Sequence, residues 1–587
     1  MTRGFIIPCL AGLALLAAVI APFFISTFTL MIATNALVFA IFAVSLNLIL
    51  GYAGLPSLGH AAFFGCGAYA VGLLAQSGIN NFVVALAAAV VGSALLGLVL
   101  GPILLRTRAT YFLMATLAVG EVMRNLAISW RTVTNGDDGL YGIKLPGYLA
   151  DGRHFYFFLL AALVVVVAVI AMLMRAPFGH TLRAVRDNRS RASVLGIRPL
   201  TIEMSAFVFS AAIAGFAGAM FAYAKGFVSP GVLSVETSAD VLLMVVLGGP
   251  ATLLGPVVGA VVIEAIRGIG STYTNRWLTI LGLLAVVVAL DPRQYFHRRS
   301  RKTPTLSEAV EASSQSKAAE PLDTPFARPG LAASRRGSSA RTAIGATGVA
   351  KHFGGLSVLN DISIDVVEGE RRGLIGPNGA GKTTFLNILS GLTQPNDGRV
   401  HFGDRDITSL PASERAKLGI GRTFQIGNLF DENTVRENIV LGLLARDGHS
   451  LHFARALSSY DKLQNEASKL LDDWGLRDWE RVPVKVLAYG QRRLVEIVLA
   501  ISQRPKVLLL DEPAAGLSGN ETKMIIQTIS TLDPQLSLII VEHDMDLVFS
   551  ICDSVTVIAN GRVLAEGTGD QVRRDKSVVE AYLGMPL

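Results

Sequence analysis

The chain has 587 residues, 51% of them hydrophobic, with 52 Lys and Arg against 45 Asp and Glu, a formal net charge of +7. A mean hydropathy of +0.49 excludes an ordinary soluble enzyme, and the length calls for two or more domains. Apolar residues concentrate before about residue 290 and charged ones after it, so the simplest account is a membrane half followed by a soluble half.

The excess arginines sit at the edges of apolar stretches, which argues for membrane topology and against nucleic-acid binding. Of the three cysteines, Cys9 and Cys66 fall in apolar stretches and Cys552 in the soluble half, so neither a disulfide framework nor a zinc site is expected. Phe5 to Phe24 has the look of a signal peptide. Many further apolar stretches follow it, so it reads as a retained first helix.

Stretches long enough to cross a bilayer run near 5–27, 29–51, 57–77, 81–105, 110–130, 155–175, 201–225 and 272–290. A longer stretch, 238–268, carries Gly248-Gly249-Pro250 and Gly255-Pro256 and reads as a broken segment. The expectation is an α-helical polytopic domain of eight spans plus that break, over residues 1–290. Between Arg175 and Arg198 lie six arginines and one acid, Asp187, so this loop should be cytoplasmic, with Arg3, Arg106, Arg108 and the Arg293–Lys302 run on the same side. Asn135 to Gly139 then falls outside, and both termini are cytoplasmic.

Leu182, Val185, Ala192 and Leu195 would share one face of a short helix in the loop 180–198. Two readings stand for it: a solvated loop fixing topology, or a coupling helix that docks on an ATPase. Gly51, Gly54, Gly59, Gly65 and Gly67 suit close helix packing. The break at Gly54-Leu55-Pro56-Ser57 suits backbone lining a pathway. Glu121, Arg124 and Asn125 read as outer-interface residues.

Asn47-Leu48-Ile49-Leu50-Gly51-Tyr52-Ala53-Gly54-Leu55-Pro56-Ser57-Leu58-Gly59-His60-Ala61-Ala62-Phe63-Phe64-Gly65 resembles the permease subunits of ABC importers for branched-chain amino acids. So do Pro177-Phe178-Gly179 with Arg183-Ala184-Val185-Arg186, and Val245-Val246-Leu247-Gly248-Gly249-Pro250. The likeness spans about 30–290. Relatives of this kind also carry urea, short amides and aromatic acids. Arg191-Ala192-Ser193 with Gly196 keeps part of the coupling pattern of such permeases.

Residues 291–342, rich in Ser, Ala, Arg and Pro, read as a flexible linker. The remainder, 343–587, should be an α/β P-loop ATPase domain. Gly376-Pro377-Asn378-Gly379-Ala380-Gly381-Lys382-Thr383-Thr384 fits the phosphate-binding loop, between a strand ending at Ile375 and a helix opening after it. Its N–H groups would close around phosphate, Lys382 would reach the β- and γ-phosphates of ATP, and Thr383 would hold Mg²⁺. Val507 to Leu510 is an apolar strand ending in Asp511 and Glu512. Asp511 would orient Mg²⁺, and Glu512 would position and activate water.

Leu487-Ala488-Tyr489-Gly490-Gln491 resembles the ABC signature, in the variant of the branched-chain amino acid ATPase subunits, before a helix expected near Arg492. Gly490 N–H should be available to phosphate. The resemblance implies that Gln425 senses the γ-phosphate and reaches the metal, that His543 is the switch histidine, and that Phe353 stacks on adenine. The resemblance implies an aspartate serving communication between subunits at the position where this chain has Ser518. Val579 to Gly584 also resembles this family.

The sequence therefore reads as a fused permease–ATPase half of an ABC importer in a bacterial inner membrane. It implies a second permease, a second ATPase and an extracytoplasmic substrate-binding protein. A half-size exporter would show six long spans. An ATP-gated regulator would not need Lys382, Asp511, Glu512 and His543 intact.

Overall fold

A computed structural model of the chain describes residues 3–273, 279, 282–283, 286, 341–424 and 429–583. The chain falls into two compact units. One takes in residues up to Arg186, the apolar stretch from Leu200 on, and Phe453–Arg455. The other takes in Asp187–Pro199 with the soluble half on either side of Phe453–Arg455. The linker expected at 291–342 lies outside the described residues, apart from its last two.

The first unit is helical. Among the described residues, five helices are long and apolar enough to cross a membrane: Thr27–Tyr52, Phe82–Leu104, Ala109–Ser129, Gly152–Arg175 and Pro199–Lys225. Each coincides with an expected span. Ser26 caps the first of them by accepting from Thr29 N at 3.2 Å. Between Ala36 and Ile49 every residue is buried, so this helix, apolar all round, forms the centre of the unit. Arg3–Ile20 is also helical.

The expected span 57–77 is corrected to the helix Ala61–Gln76. Its 16 residues fall short of the roughly 20 that a straight crossing needs. The preceding stretch is irregular, because Gly54 takes φ +73 and Pro56 cannot continue the ladder. Most of the expected span 272–290 lies outside the described residues.

The broken segment is two helices, Val235–Gly248 and Gly255–Tyr273. Backbone freed at such a break must find partners at membrane depth. Asn47 supplies them: its Oδ1 accepts from Ala251 N at 3.0 Å and its Nδ2 donates to Thr252 O at 2.9 Å. The glycines do set helix spacing. A Cβ on Gly67 would lie 2.0 Å from Gly215 O, so Ala61–Gln76 and Pro199–Lys225 meet backbone to backbone. Glu121 and Arg124 are part-exposed and pair at 3.5 Å.

The single short helix expected within 180–198 is two, Pro177–Asp187 and Arg189–Val194. Asn188 separates them in an extended conformation, and its Oδ1 accepts from Arg191 N at 2.9 Å. That cap starts a new helix and stops the old one continuing.

In the second unit, a sheet runs in the order Arg562–Gly567, Ser554–Ala559, Arg371–Ile375, Ser537–Val541, Val507–Asp511, Ile420–Arg422. It is parallel except for its first strand. A second, antiparallel sheet runs Leu356–Val367, Thr342–Phe353, Asp397–Phe402, Arg405–Asp406. Val507 to Asp511 and Ser537 to Val541 are buried throughout, as continuous apolar runs in a parallel sheet require. Ile344, Leu359, Phe385, Leu509 and Ile539 join the two sheets and the helix after the glycine loop in one core.

Candidate nucleotide-binding site

The strand Arg371–Ile375 ends at Gly376, where a Cβ would lie 2.0 Å from Ile558 O. Gly381 takes φ +100 and opens the helix Lys382–Leu389. The first N–H groups of that helix have no acceptor within it, and they face the loop. Pro377 and Thr384 are half-buried, Asn378, Gly379 and Thr383 exposed, and Ala380 buried.

Lys382 lies buried over the loop, its Nζ donating to Gly376 O at 2.7 Å and Pro377 O at 3.0 Å. Burial pulls its ammonium below the ordinary lysine range, and the carboxylates of Glu512 and Asp511 pull it back. At the far end of the same helix, the buried Arg415 donates to Ile388 O at 2.6 Å, Leu389 O at 3.0 Å, Thr408 O at 2.8 Å and Leu410 O at 3.0 Å. Burial pushes this guanidinium down to about 10.

Asp511 ends a buried strand, and Arg422 Nη2 lies 3.3 Å from its Oδ2. Burial raises its carboxyl and Arg422 draws it back. Among the described residues its Oδ1 is buried without a hydrogen-bond partner. Glu512 follows at φ +46, a left-handed conformation unusual outside glycine, with its N–H donated to Val541 O at 2.9 Å. Parallel pairing sets Asp511 beside Val541, so Glu512 and Glu542-His543 leave neighbouring strand ends together. Glu542 is buried and accepts from Ala514 N at 2.9 Å. The His543 side chain is 59% exposed. Phe353 ends its strand half-exposed, with Lys351 Nζ 5.2 Å from the ring centre. Gln425 lies outside the described residues.

Leu487 is buried and Tyr489 exposed. The helix begins at Tyr489, three residues ahead of expectation, because Gln491 Oε1 turns back to accept from Ala488 N at 3.1 Å. The Gly490 N–H, expected to be available to phosphate, faces the Glu521 carboxylate. The Ser518 N–H and hydroxyl hold this carboxyl below the usual range, and the Gly490 N–H adds to them. Ser518 N donates to Glu521 Oε2 at 2.9 Å and its Oγ to the same atom at 2.7 Å, closing the cap of the helix Gly519–Ser530. The serine thus keeps the capping role an aspartate would have. Replacing Ser518 by Ala should destabilise the cassette by about 1 kcal/mol, read as a lower thermal midpoint of the full chain.

Two further residues, Arg493 and Glu496, gather here that no motif announced, and they join Arg191 of the partial coupling pattern. Glu496 accepts from Arg191 Nη1 at 2.9 Å and Arg493 Nη1 at 2.7 Å, with all three side chains at least 96% buried. Arg493 Nη2 also donates to Glu512 O at 2.9 Å, tying the segment Asp187–Pro199 to the backbone of the expected base. A sequence signal exists: Arg493 and Glu496 flank Leu494 and Val495 in a helix whose apolar residues leave little room for a solvated face.

A glycine loop on a central parallel strand, acids on a neighbouring strand and an antiparallel side sheet define an ABC-type ATPase cassette, here behind an apolar helical domain. Residues 28–290 match the branched-chain amino acid transport system permease component. Residues 359–515 match the ABC transporter family, and 562–584 the branched-chain amino acid ATP-binding cassette transporter family. The chain is 38% identical over 248 residues to the high-affinity branched-chain amino acid transport ATP-binding protein BraF of Pseudomonas aeruginosa, covering 96% of it and 40% of this chain. The LivG protein of Escherichia coli K12 is 38% identical over 245 residues, with the same coverage. A solved nucleotide-free ATP-binding cassette is 31% identical over 41% of this chain and 98% of that one, at a TM-score of 0.38. The chain belongs to the branched-chain amino acid family of ABC transporters, as a permease fused to its ATPase.

Proposed function

We propose that this chain drives ATP-dependent import of branched-chain amino acids across a bacterial inner membrane. One observation carries the reading: a permease of the branched-chain amino acid family and a cassette similar to that family's ATP-binding proteins share one polypeptide. The domains are assigned as 1–290, 291–342 and 343–587, with both termini cytoplasmic. Partners would be a second permease, a second ATPase and an extracytoplasmic substrate-binding protein.

In the cassette, Gly376 to Thr384 would hold the phosphates, Phe353 the adenine, and Leu487 to Gln491 the nucleotide on the partner cassette. Glu512 would act as base, with His543 and Gln425 as γ-phosphate sensors. Thr383, Gln425 and Asp511 would hold Mg²⁺. The orphaned Oδ1 of Asp511 and the exposed Thr383 are hard oxygen donors that suit this ion, which takes one or two carboxylates alongside substrate phosphates. Bound there, Mg²⁺ neutralises charge on the phosphates. Lys382 and the loop N–H groups orient the phosphates, and the water proton would pass to a Glu512 carboxylate oxygen.

The test is uptake of radiolabelled L-leucine by cells lacking this gene and its neighbours. Loss of uptake, restored by the intact genes, is expected. Unchanged uptake would remove the amino-acid assignment.

A further inference from the structure

The helical unit holds a cavity of about 320 Å³, and its lining has a chemistry of its own. That volume is at the lower end of small-molecule sites, which run from roughly 300 to 1,000 Å³. Phe39, Phe64 and Phe221 form an aromatic wall, with ring centres 5.4–6.1 Å apart. Beside it stand two cations and two carboxylates, an unusual concentration of charge between membrane helices.

The four charges are not equivalent. Arg267 is committed within the protein: Nη1 lies 3.0 Å from Glu264 Oε1, Nη2 pairs with Asp240, and its guanidinium lies 5.8 Å from the Phe39 ring centre. Lys225 ends its helix, is exposed, and holds its ammonium 5.7 Å from the Phe221 ring centre. The cavity therefore offers an ammonium at one place, a carboxylate pair sharing one guanidinium at another, and an apolar surface between. A small zwitterion with a hydrophobic side chain matches all three.

Position agrees. Asn35 lines the cavity, and Arg186 Nη1 donates to Gly51 O at 2.7 Å on the same long helix. Sixteen residues separate them, about 24 Å along a helix axis. The cavity thus lies at the end of that helix away from Arg186. Its lip includes Phe227, in a strand paired with Leu140–Tyr141, just after the acidic loop expected outside.

We infer that this cavity is an outward-side binding site for a free hydrophobic α-amino acid, with Lys225 receiving its carboxylate, Glu264 and Asp240 its ammonium, and the phenylalanine wall its side chain. The inference rests on the transport reading and adds to it the place where the permease itself holds substrate.

The test is equilibrium binding of radiolabelled L-leucine to the purified complex without any binding protein, alongside leucine uptake by the same complex in proteoliposomes supplied with one. Lys225→Met should weaken leucine binding about tenfold or more, as loss of a charged hydrogen-bond partner does. Lys225→Arg should restore most of it. Leucine amide, which lacks the carboxylate, should bind the parent and Lys225→Met complexes alike. The control Lys144→Met, on an exposed loop, should bind leucine as the parent does. If the complex imports leucine but shows no binding, or binding that Lys225→Met leaves intact, the cavity assignment is overturned and the transport reading stands. If the parent imports no hydrophobic amino acid, both fall.

Discussion

Replacing Glu512 by Gln is expected to slow ATP hydrolysis by the assembled complex about 100- to 10,000-fold, the range for losing a positioned general base. The change keeps shape and removes the carboxylate's charge together with its proton-accepting power. The backbone that Arg493 and Val541 hold is untouched, because both bonds go to main-chain atoms of residue 512. ATP should still bind, since Gly376 to Thr384 are unchanged. Phosphate release and nucleotide binding, measured on one preparation, separate the two effects. A parent-like rate would mean the base lies elsewhere.

The second large effect is on stability. Glu496→Ala would leave Arg191 and Arg493 buried without the carboxylate they share. Removing one partner of a buried ion pair destabilises by about 3–5 kcal/mol. For a domain of this size that lowers the unfolding midpoint by on the order of 10 °C. Glu496→Gln keeps an acceptor but not the charge, and should fall between. A midpoint unchanged by Glu496→Ala would show that both guanidiniums find other acceptors at no loss.

Much of this was legible in the sequence, for a physical reason. Phosphate binding constrains backbone, so the glycine loop and its flanking strand and helix appear as a contiguous pattern. The broken membrane segment was visible because Gly-Gly-Pro and Gly-Pro interrupt a run too long for one crossing. What stayed hidden depends on side chains meeting across the chain. The apolar neighbours of Arg493 and Glu496 hint at burial, but nothing in the sequence brings Arg191, some 300 residues away, to them. Asn188 looked like part of a continuous helix because an N-cap changes backbone direction without changing the apolar pattern. At Ser518, the pattern drew attention to a missing aspartate, and the capping oxygen that the serine supplies to the helix start shows only in the geometry.

The left-handed backbone of Glu512 has a consequence for how this cassette tolerates change. A non-glycine residue held at φ +46 stores on the order of 1 kcal/mol or more. Selection for hardiness alone would favour glycine or asparagine there. Under the role proposed for Glu512, a substitution that relieves this strain gains sturdiness and gives up turnover.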